Sequence, residues 1–234
     1  MTEYESLEQL RASFQGRIDD LTVVIQAGGQ SKRMGRSKAT VPFLGEPMIW
    51  RLVRRLSPVA GEMVITTNEP QNLSFLADEY GRPDIVLAPD LIDRRGALTG
   101  VYTALKTATK PYVAIVACDM IFASPYLIAS EYDIATSEGV DAVVPRLSHG
   151  YEPFHALYDR DKCLAFVNEA LAAGDSRAQG WFEKANLHLM TAAEVLRADP
   201  RGGCFINVNT PGELAAMEER IRREGMSYAQ EDWD

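Results

Sequence analysis

The chain has 234 residues, of which 46% are hydrophobic, and it carries a formal net charge of −9. We expect one large α/β domain rather than two small ones, and the dispersal of its 24 lysines and arginines argues against broad nucleic-acid binding. Its apolar stretches are too short to span a bilayer, its N-terminus has no secretory signal, and its three cysteines lack metal-binding or disulfide spacing, so we expect a cytoplasmic protein.

The N-terminal lead-in, residues 1–20, has apolar residues at helical spacing. These residues are Leu7, Leu10, Phe14 and Ile18, and they predict an amphipathic helix that packs on the domain surface or on a partner subunit. A single domain is expected over residues 21–225, followed by an acidic tail at residues 226–234.

Strands and helices alternate after this lead-in. We predict strands at residues 21–25, 62–67, 85–87, 112–117, 141–144, 153–158, 187–190 and 204–207. We predict helices at residues 47–56, 100–108, 125–136, 160–172, 177–184 and 211–223. Nearly continuous apolar strands that alternate with helices indicate a mostly parallel sheet covered on both faces. Ligands of such sheets bind at the carboxyl ends of the strands.

A glycine-rich, cationic segment runs from Gln26 to Lys38, directly after the first strand. The paired Gly28 and Gly29 allow backbone N–H groups to approach a triphosphate closely. Four cations follow: Lys32, Arg33, Arg36 and Lys38. The spacing fits neither GxxxxGK[ST] nor GxGxxG, so a different nucleotide loop is required. A surface turn followed by a solvated basic segment would contain the same residue types.

Polar residues follow three further predicted strands. They are Asn68, Asp90 and Asp119, and we expect them at the same sheet edge as the glycine loop. Asp119 ends an apolar strand, where a carboxylate can bind a hard metal ion or can form a turn before the next helix. Asn68 and Asp90 are also ordinary turn formers.

The pattern AGGxSxRMGxxKAxxxxxGxP, from Ala27 to Pro47, resembles the signature loop of nucleotidyltransferases that transfer an NMP from an NTP. It most resembles the molybdenum cofactor guanylyltransferases, over residues 21–225. The resemblance implies a Rossmann-like three-layer sandwich of the nucleotide-diphospho-sugar transferase type. It further implies Mg²⁺-dependent transfer of GMP from GTP to the phosphate of molybdopterin, with pyrophosphate released. Molybdoenzymes or other cofactor-biosynthesis proteins are the implied protein partners.

The resemblance also implies roles for individual residues. Its catalytic residues are Arg33, Lys38 and Asp119, and Asp119 also binds the metal. Its nucleotide-binding residues are Gln26, Ala27, Gly28, Gly29, Lys38, Asn68, Asp90 and Asp119. The chain departs from the family pattern at Ala97 and Thr99, which puts the base and pterin contacts of the Gly96–Gly100 segment in question. It also departs at Ile121, where the family usually has proline.

Four residues are candidates for the second substrate: Gly100, His155, Arg177 and Asn209. Arg177 would hold an anion at the start of a helix, and Asn209, in a matching NVNTP element, would complete the metal or substrate shell. A surface arginine, a half-buried histidine and a turn before the helix cap are the alternatives. Two other functions stay open, namely a cytidylyl or sugar-phosphate nucleotidyltransferase and a nucleotide-binding protein without turnover.

Overall fold

The computed structural model describes residues 16–28, 38–94 and 96–225. Its strands are β1 (Ile18–Gln26), β2 (Pro42–Phe43), β3 (Glu46–Pro47), β4 (Ala60–Thr66), β5 (Val86–Ala88), β6 (Tyr112–Ala117), β7 (Ala142–Leu147), β8 (Gly150–Tyr151), β9 (His155–Asp159) and β10 (Leu187–Met190). Its helices are α1 (Met48–Leu56), α2 (Phe75–Asp78), α3 (Ala97–Thr107), α4 (Pro125–Glu138), α5 (Arg160–Ala172), α6 (Ala192–Ala198) and α7 (Pro211–Glu224). Short 3₁₀ turns occupy Lys38–Thr40, Pro70–Leu73 and Phe182–Lys184. Within these ranges, no helix is long and apolar enough to cross a membrane.

One mixed sheet forms the centre of the domain, in the order β10-β7-β9-β6-β1-β4-β5, and β8 pairs with β7. All neighbours along this order are parallel except β9, which is antiparallel to both β6 and β7. The carboxyl ends of β1, β4, β5, β6 and β7 therefore share one edge, and the amino end of β9 joins them there. We call this edge the carboxyl edge.

Alternate side chains of the strands pack into separate apolar layers on the two faces of the sheet. On β1, Val23 and Ile25 join the layer under α1, α4 and α6, whereas Val24 joins the layer under α3 and α5. Since side chains of a strand alternate between its two faces, this split means that helices cover both sides. The predicted α/β sandwich with a mostly parallel sheet is confirmed.

Several predicted helices and strands are confirmed where the prediction rests on neighbouring residues in the sequence. The bounds of β6, α5 and β10 agree with the prediction, and α4 begins at Pro125 behind the Ser124 cap, whose side chain accepts the Leu127 N–H. Ile18, which helical spacing assigned to the lead-in, instead begins β1. Asp19 and Asp20 also belong to β1, whereas residues 1–15 of that lead-in and the tail lie outside the described residues.

Two predicted elements are wrong. Residues 177–184 contain only a 3₁₀ turn, because the Asp175 side chain accepts the Arg177 N–H and holds the chain in a turn. Residues 204–207 form no strand. Their neighbour is the turn-rich loop after β6, so only one bridge forms, between Asn207 and Met120.

Candidate active site

Lys38, Asp119 and Asn209 meet at the carboxyl edge of the sheet. The Lys38 ammonium donates hydrogen bonds to Asp119 Oδ2 and to Asn209 Oδ1, both at 3.0 Å. The Lys38 and Asp119 side chains are 11% and 27% exposed, so the ion pair lies partly shielded from water. Three elements far apart in sequence therefore present one cation and two oxygen ligands at a single point. Arg33 and Gly29, also predicted for this site, lie outside the described residues.

The loop after β6 holds Asp119 through its main chain. Asp119 carbonyl oxygen accepts the Val208 N–H at 3.1 Å, and Met120 forms the bridge to Asn207. The Asp119 loop (residues 118–124) and the Asn209 segment (residues 204–210) are thus joined directly. These main-chain contacts hold the backbones of the two segments next to each other.

The start of α7 orients Asn209. Its N–H donates to Glu213 Oε2 at 2.6 Å, while the Thr210 hydroxyl accepts the Glu213 N–H at 3.2 Å. These bonds form a reciprocal cap at the helix N-terminus. The Asn209 N–H lowers the pKa of Glu213, which favours the carboxylate that makes the contact. The cap therefore holds the Asn209 main chain while its side-chain oxygen reaches Lys38.

Asn68 and Asp90 pair with each other at the ends of β4 and β5. Asn68 Nδ2 donates to Asp90 Oδ2 at 2.7 Å, and the Asp90 N–H donates to Asn68 Oδ1 at 3.0 Å. Gly28 lies against this pair, since a Cβ added there would be 3.4 Å from both Asp90 carboxylate oxygens. The structure thus brings together three of the predicted nucleotide residues, Asn68, Asp90 and Gly28.

Gln26 and Ala27 continue from β1 toward the loop. The Ala27 N–H donates to the Thr66 carbonyl at 2.8 Å, which extends the pairing with β4. Gln26 side chain packs on Gly100 in the first turn of α3, where a Cβ would lie 2.9 Å from Gln26 Oε1. Gln26 Nε2 is a buried donor without a hydrogen-bond partner in the described part of the chain. Gly100 therefore makes room for Gln26.

Two of the candidates for the second substrate are not placed as predicted. His155 is 0% exposed, so its side chain does not face the cleft in this structure. Arg177 is exposed, but it begins no helix; it forms an ion pair with Asp175 at 2.7 Å and holds the pKa of that carboxyl well below its usual range.

The hairpin between β7 and β8 presents a cation and an aromatic ring that sequence reasoning missed. Arg146 and Tyr151 pair across it, and the guanidinium carbon lies 5.5 Å from the centre of the Tyr151 ring. Both side chains are exposed at the carboxyl edge, and Phe182 packs edge-on against the ring. The signal in the sequence was the short Ser148-His149-Gly150 turn between two strand-like segments.

Cysteine chemistry and a preformed metal cluster are both absent from the described ranges. Burial raises the pKa of the Cys118 thiol to about 12, so this neighbour of Asp119 remains protonated at neutral pH. No three His, Cys, Asp or Glu side chains gather there as a metal site. Asp119 and Asn209 supply two hard oxygens, a set that fits Mg²⁺ when phosphates and water complete its octahedron.

The fold and this site are those of a nucleotidyltransferase. Residues 23–189 match the family described as the MobA-like NTP transferase domain. The chain belongs to the MobA-like NTP transferase family.

Two relatives carry names that match the resemblance found in the sequence. The probable molybdenum cofactor guanylyltransferase of Natronomonas pharaonis is 33% identical over 205 residues, which cover 87% of this chain and 100% of the relative. The molybdenum cofactor guanylyltransferase of Desulfosudis oleivorans is 32% identical, over 88% of this chain and 98% of its own length. The resemblance is confirmed.

Solved structures agree on the fold. Molybdopterin-guanine dinucleotide biosynthesis protein A from Archaeoglobus fulgidus superposes with a TM-score of 0.72 at 23% identity, over 86% of this chain and 99% of that one. The 4-diphosphocytidyl-2C-methyl-D-erythritol synthase from Anaerococcus prevotii superposes with a TM-score of 0.65 at 13% identity, over 87% and 96%. Because the second of these is named for a cytidylyl product, the fold alone does not select the base.

Proposed function

We propose that this chain transfers GMP from GTP to the phosphate of molybdopterin, releasing pyrophosphate and forming molybdopterin guanine dinucleotide. The names of its relatives support this reaction. The observation that carries it is the meeting of Lys38, Asp119 and Asn209 at the carboxyl edge. The free, buried cysteines are compatible with a reaction in the reducing cytoplasm, and molybdoenzymes or other cofactor-biosynthesis proteins would be its protein partners.

Lys38 would neutralise charge as the reaction proceeds. The bond from the α-phosphorus to the bridging oxygen breaks, and the departing pyrophosphate carries the electron pair. A positioned ammonium stabilises that charge best in a site partly shielded from water. The attacking molybdopterin phosphate is already ionised at neutral pH, so no side chain needs to remove a proton from it.

Asp119 and Asn209 would hold Mg²⁺ together with the phosphates. Both oxygens lie 3.0 Å from the Lys38 nitrogen, so they face the same point. When bound, the ion would neutralise phosphate oxygens and hold the α-phosphate in line with the acceptor. One carboxylate and one amide form a weak site without the nucleotide, so we expect metal and GTP to bind together.

Asn68, Asp90 and Gln26 would bind the nucleoside. Guanine has N–H donors at N1 and N2 beside the O6 acceptor, so a carboxylate and an amide offer complementary groups. The Asp90 carboxylate would accept from these donors, while Asn68 holds it in place. Gln26 Nε2, a buried donor without a partner in the described residues, would find an acceptor in the nucleotide.

The acceptor would bind on the other half of the carboxyl edge, between β6 and β7. The exposed Tyr151 ring offers a face for the flat pterin, and the Arg146 guanidinium offers charge to an anionic acceptor. Arg177, on the neighbouring loop, is a further cation.

Pyrophosphate release tests the reaction. The purified chain with Mg²⁺ and molybdopterin should release pyrophosphate from GTP, and much less from CTP or UTP. Asp119→Asn should remove turnover, whereas Asp93→Asn, an exposed carboxylate change outside the proposed contacts, should leave it intact. Preference for CTP or UTP would favour the cytidylyl or sugar-phosphate alternative. Tight Mg-GTP binding without pyrophosphate would favour a nucleotide-binding protein without turnover.

A further inference from the structure

A histidine and a glutamate lie fully buried beneath the candidate active site. His155, at the start of β9, and Glu131, in the middle of α4, are both 0% exposed. The Ser124 N–H donates to His155 Nε2 at 3.0 Å. Because Nε2 accepts this bond, the proton of the neutral ring lies on Nδ1. Nδ1 is 3.6 Å from Glu131 Oε1, beyond a direct hydrogen bond.

Burying these groups carries a cost that packing alone does not explain. His155 Nδ1 and both Glu131 carboxylate oxygens lack a hydrogen-bond partner in the described part of the chain. Most buried polar atoms in proteins have a partner, and each exception calls for a reason. An aliphatic side chain would fill the same space without this penalty. The reason must therefore lie in what the imidazole contacts.

The imidazole contacts both segments that carry the oxygens of the site. Its Nε2 binds Ser124, the last residue of the Asp119 loop, and its ring packs edge-on against Phe205 with the ring centres 5.6 Å apart. Phe205 lies in the Asn209 segment. These are the same two segments that the Val208 hydrogen bond and the Met120 bridge join at their other ends.

We propose that His155, oriented by Glu131, is a positioning residue for the Asp119 loop and the Asn209 segment. It anchors the main chain where the Asp119 loop enters α4 and supports the segment that leads to Asn209. The two oxygens thereby keep the spacing that one cation requires. His155 touches no substrate and acts through Ser124 and Phe205. The effect on turnover rests on the proposed function, whereas the effects on the loop and on metal binding do not.

The protonation state of Glu131 changes in the neutral range. Burial raises the pKa of Glu131 to about 7. The groups that face it are Tyr158 on β9 and Cys204 in the Asn209 segment, and burial raises both their pKa values, so both stay protonated.

The charged groups nearby have partners other than His155, so none of them does for His155 what Glu131 does. Asp199 and Arg201 pair with each other at 2.7 Å, and Arg55 of α1 donates to the Ala123 carbonyl. When Glu131 ionises, it attracts the proton on His155 Nδ1 and makes Nε2 a stronger acceptor. We therefore expect the Ser124 anchor to tighten as the pH rises through 7.

Three full-length variants test the proposal. His155→Leu removes the acceptor, His155→Gln keeps an oxygen near the Nε2 position, and Glu131→Gln removes the titrating group. Amide exchange at Ser124 and the affinity for Mn²⁺ in the presence of GTP are measured along with pyrophosphate release. His155→Leu should speed Ser124 exchange and weaken Mn²⁺ binding, each about tenfold. Its kcat should fall similarly, and His155→Gln should recover most of each loss.

The pH profile separates positioning from simple packing. The kcat of the unaltered chain should rise between pH 6 and 8 through a step near 7, and Glu131→Gln should lack that step. Unchanged Ser124 exchange in folded His155→Leu would overturn the proposal. If that variant does not fold, identical pH profiles for Glu131→Gln and the unaltered chain would overturn it instead. A chain that never releases pyrophosphate would refute guanylyl transfer, while Ser124 exchange and Mn²⁺ binding would still decide the positioning role.

Discussion

The two halves of the carboxyl edge differ in how well strand ends predict contacts. In the nucleotide half, formed by β1, β4, β5 and β6, residues that follow different strands meet: Asn68 pairs with Asp90, and Lys38 pairs with Asp119. In the acceptor half, formed by β7 and β9, His155 is buried and Arg177 pairs with the nearby Asp175. Parallel strands bring their ends together by topology, whereas the reversed β9 follows no such rule.

The largest expected effect comes from removing the central cation of the nucleotide half. Lys38→Ala should lower kcat by about 1,000-fold, because the developing charge loses its positioned ammonium and the two oxygens lose their shared donor. Steady-state pyrophosphate release measures this loss. Lys184→Ala is the matched control, since Lys184 is exposed and pairs only with Glu169 among the contacts described. Near-normal turnover in folded Lys38→Ala would show that catalysis does not need the Lys38 ammonium.

Glu131→Gln tests whether Glu131, which lies beside His155 of the acceptor half, is shielded from water. Burial raises its pKa from 4.5 to about 7, so the folded state binds the proton more tightly than the unfolded chain. Stability should therefore fall as the pH rises from 4.5 to 7, by about 3 kcal/mol. Urea unfolding at pH 5 and pH 8 measures this difference. Glu131→Gln should abolish it, and an unchanged slope would show that Glu131 is not shielded from water.

Asp90→Asn should weaken nucleotide binding more than it slows turnover. The carboxylate would accept from the guanine N–H groups, and its loss should raise the KM for GTP about tenfold. The variant keeps the side-chain volume and one oxygen beside Asn68, so the fold should hold. Competition between GTP and ITP, which lacks the N2 amino group, identifies the contact. Equal losses for both nucleotides would exclude a contact between Asp90 and the N2 amino group.

Tyr151→Ala should give the smallest effect. It should also separate binding of the acceptor from binding of the nucleotide most clearly. Losing the ring should raise the KM for molybdopterin several-fold, roughly 1 kcal/mol of stacking, and leave the KM for GTP unchanged. Leu196→Ala provides the control, because Leu196 is the more exposed apolar side chain, at 55% against 37%. A change in the KM for GTP alone would move Tyr151 to the nucleotide half.

Local patterns were sufficient for the elements that frame the site. The apolar run from Tyr112 to Ala117 and the Ser124-Pro125 cap fix the boundaries on either side of Asp119, and both agree with the structure. Helix α6 was missed although its capping box, Thr191 with Glu194, is visible in the sequence.

Contacts between residues far apart in the chain determine the features that the sequence did not predict. The Ser176 carbonyl accepts the Leu98 N–H at 3.0 Å, which binds the loop before residues 177–184 to α3. A helical propensity estimate contains no information about such a partner. The direction of β9 likewise depends on its neighbours, so alternation along the strand did not reveal that the His155 ring lies beneath the cleft.

The reversed strand also constrains the order in which the sheet is completed during synthesis. β9 fills the gap between β6 and β7, pairing Tyr112 with Asp159 and Ala142 with Tyr158. Until residue 159 has left the ribosome, the outer side of β6 carries unpaired N–H and C=O groups. Such an open strand edge recruits other chains. A nascent chain or a truncation that ends before β9 should therefore aggregate, even though the whole segment from Gln26 to Lys38 has already been made.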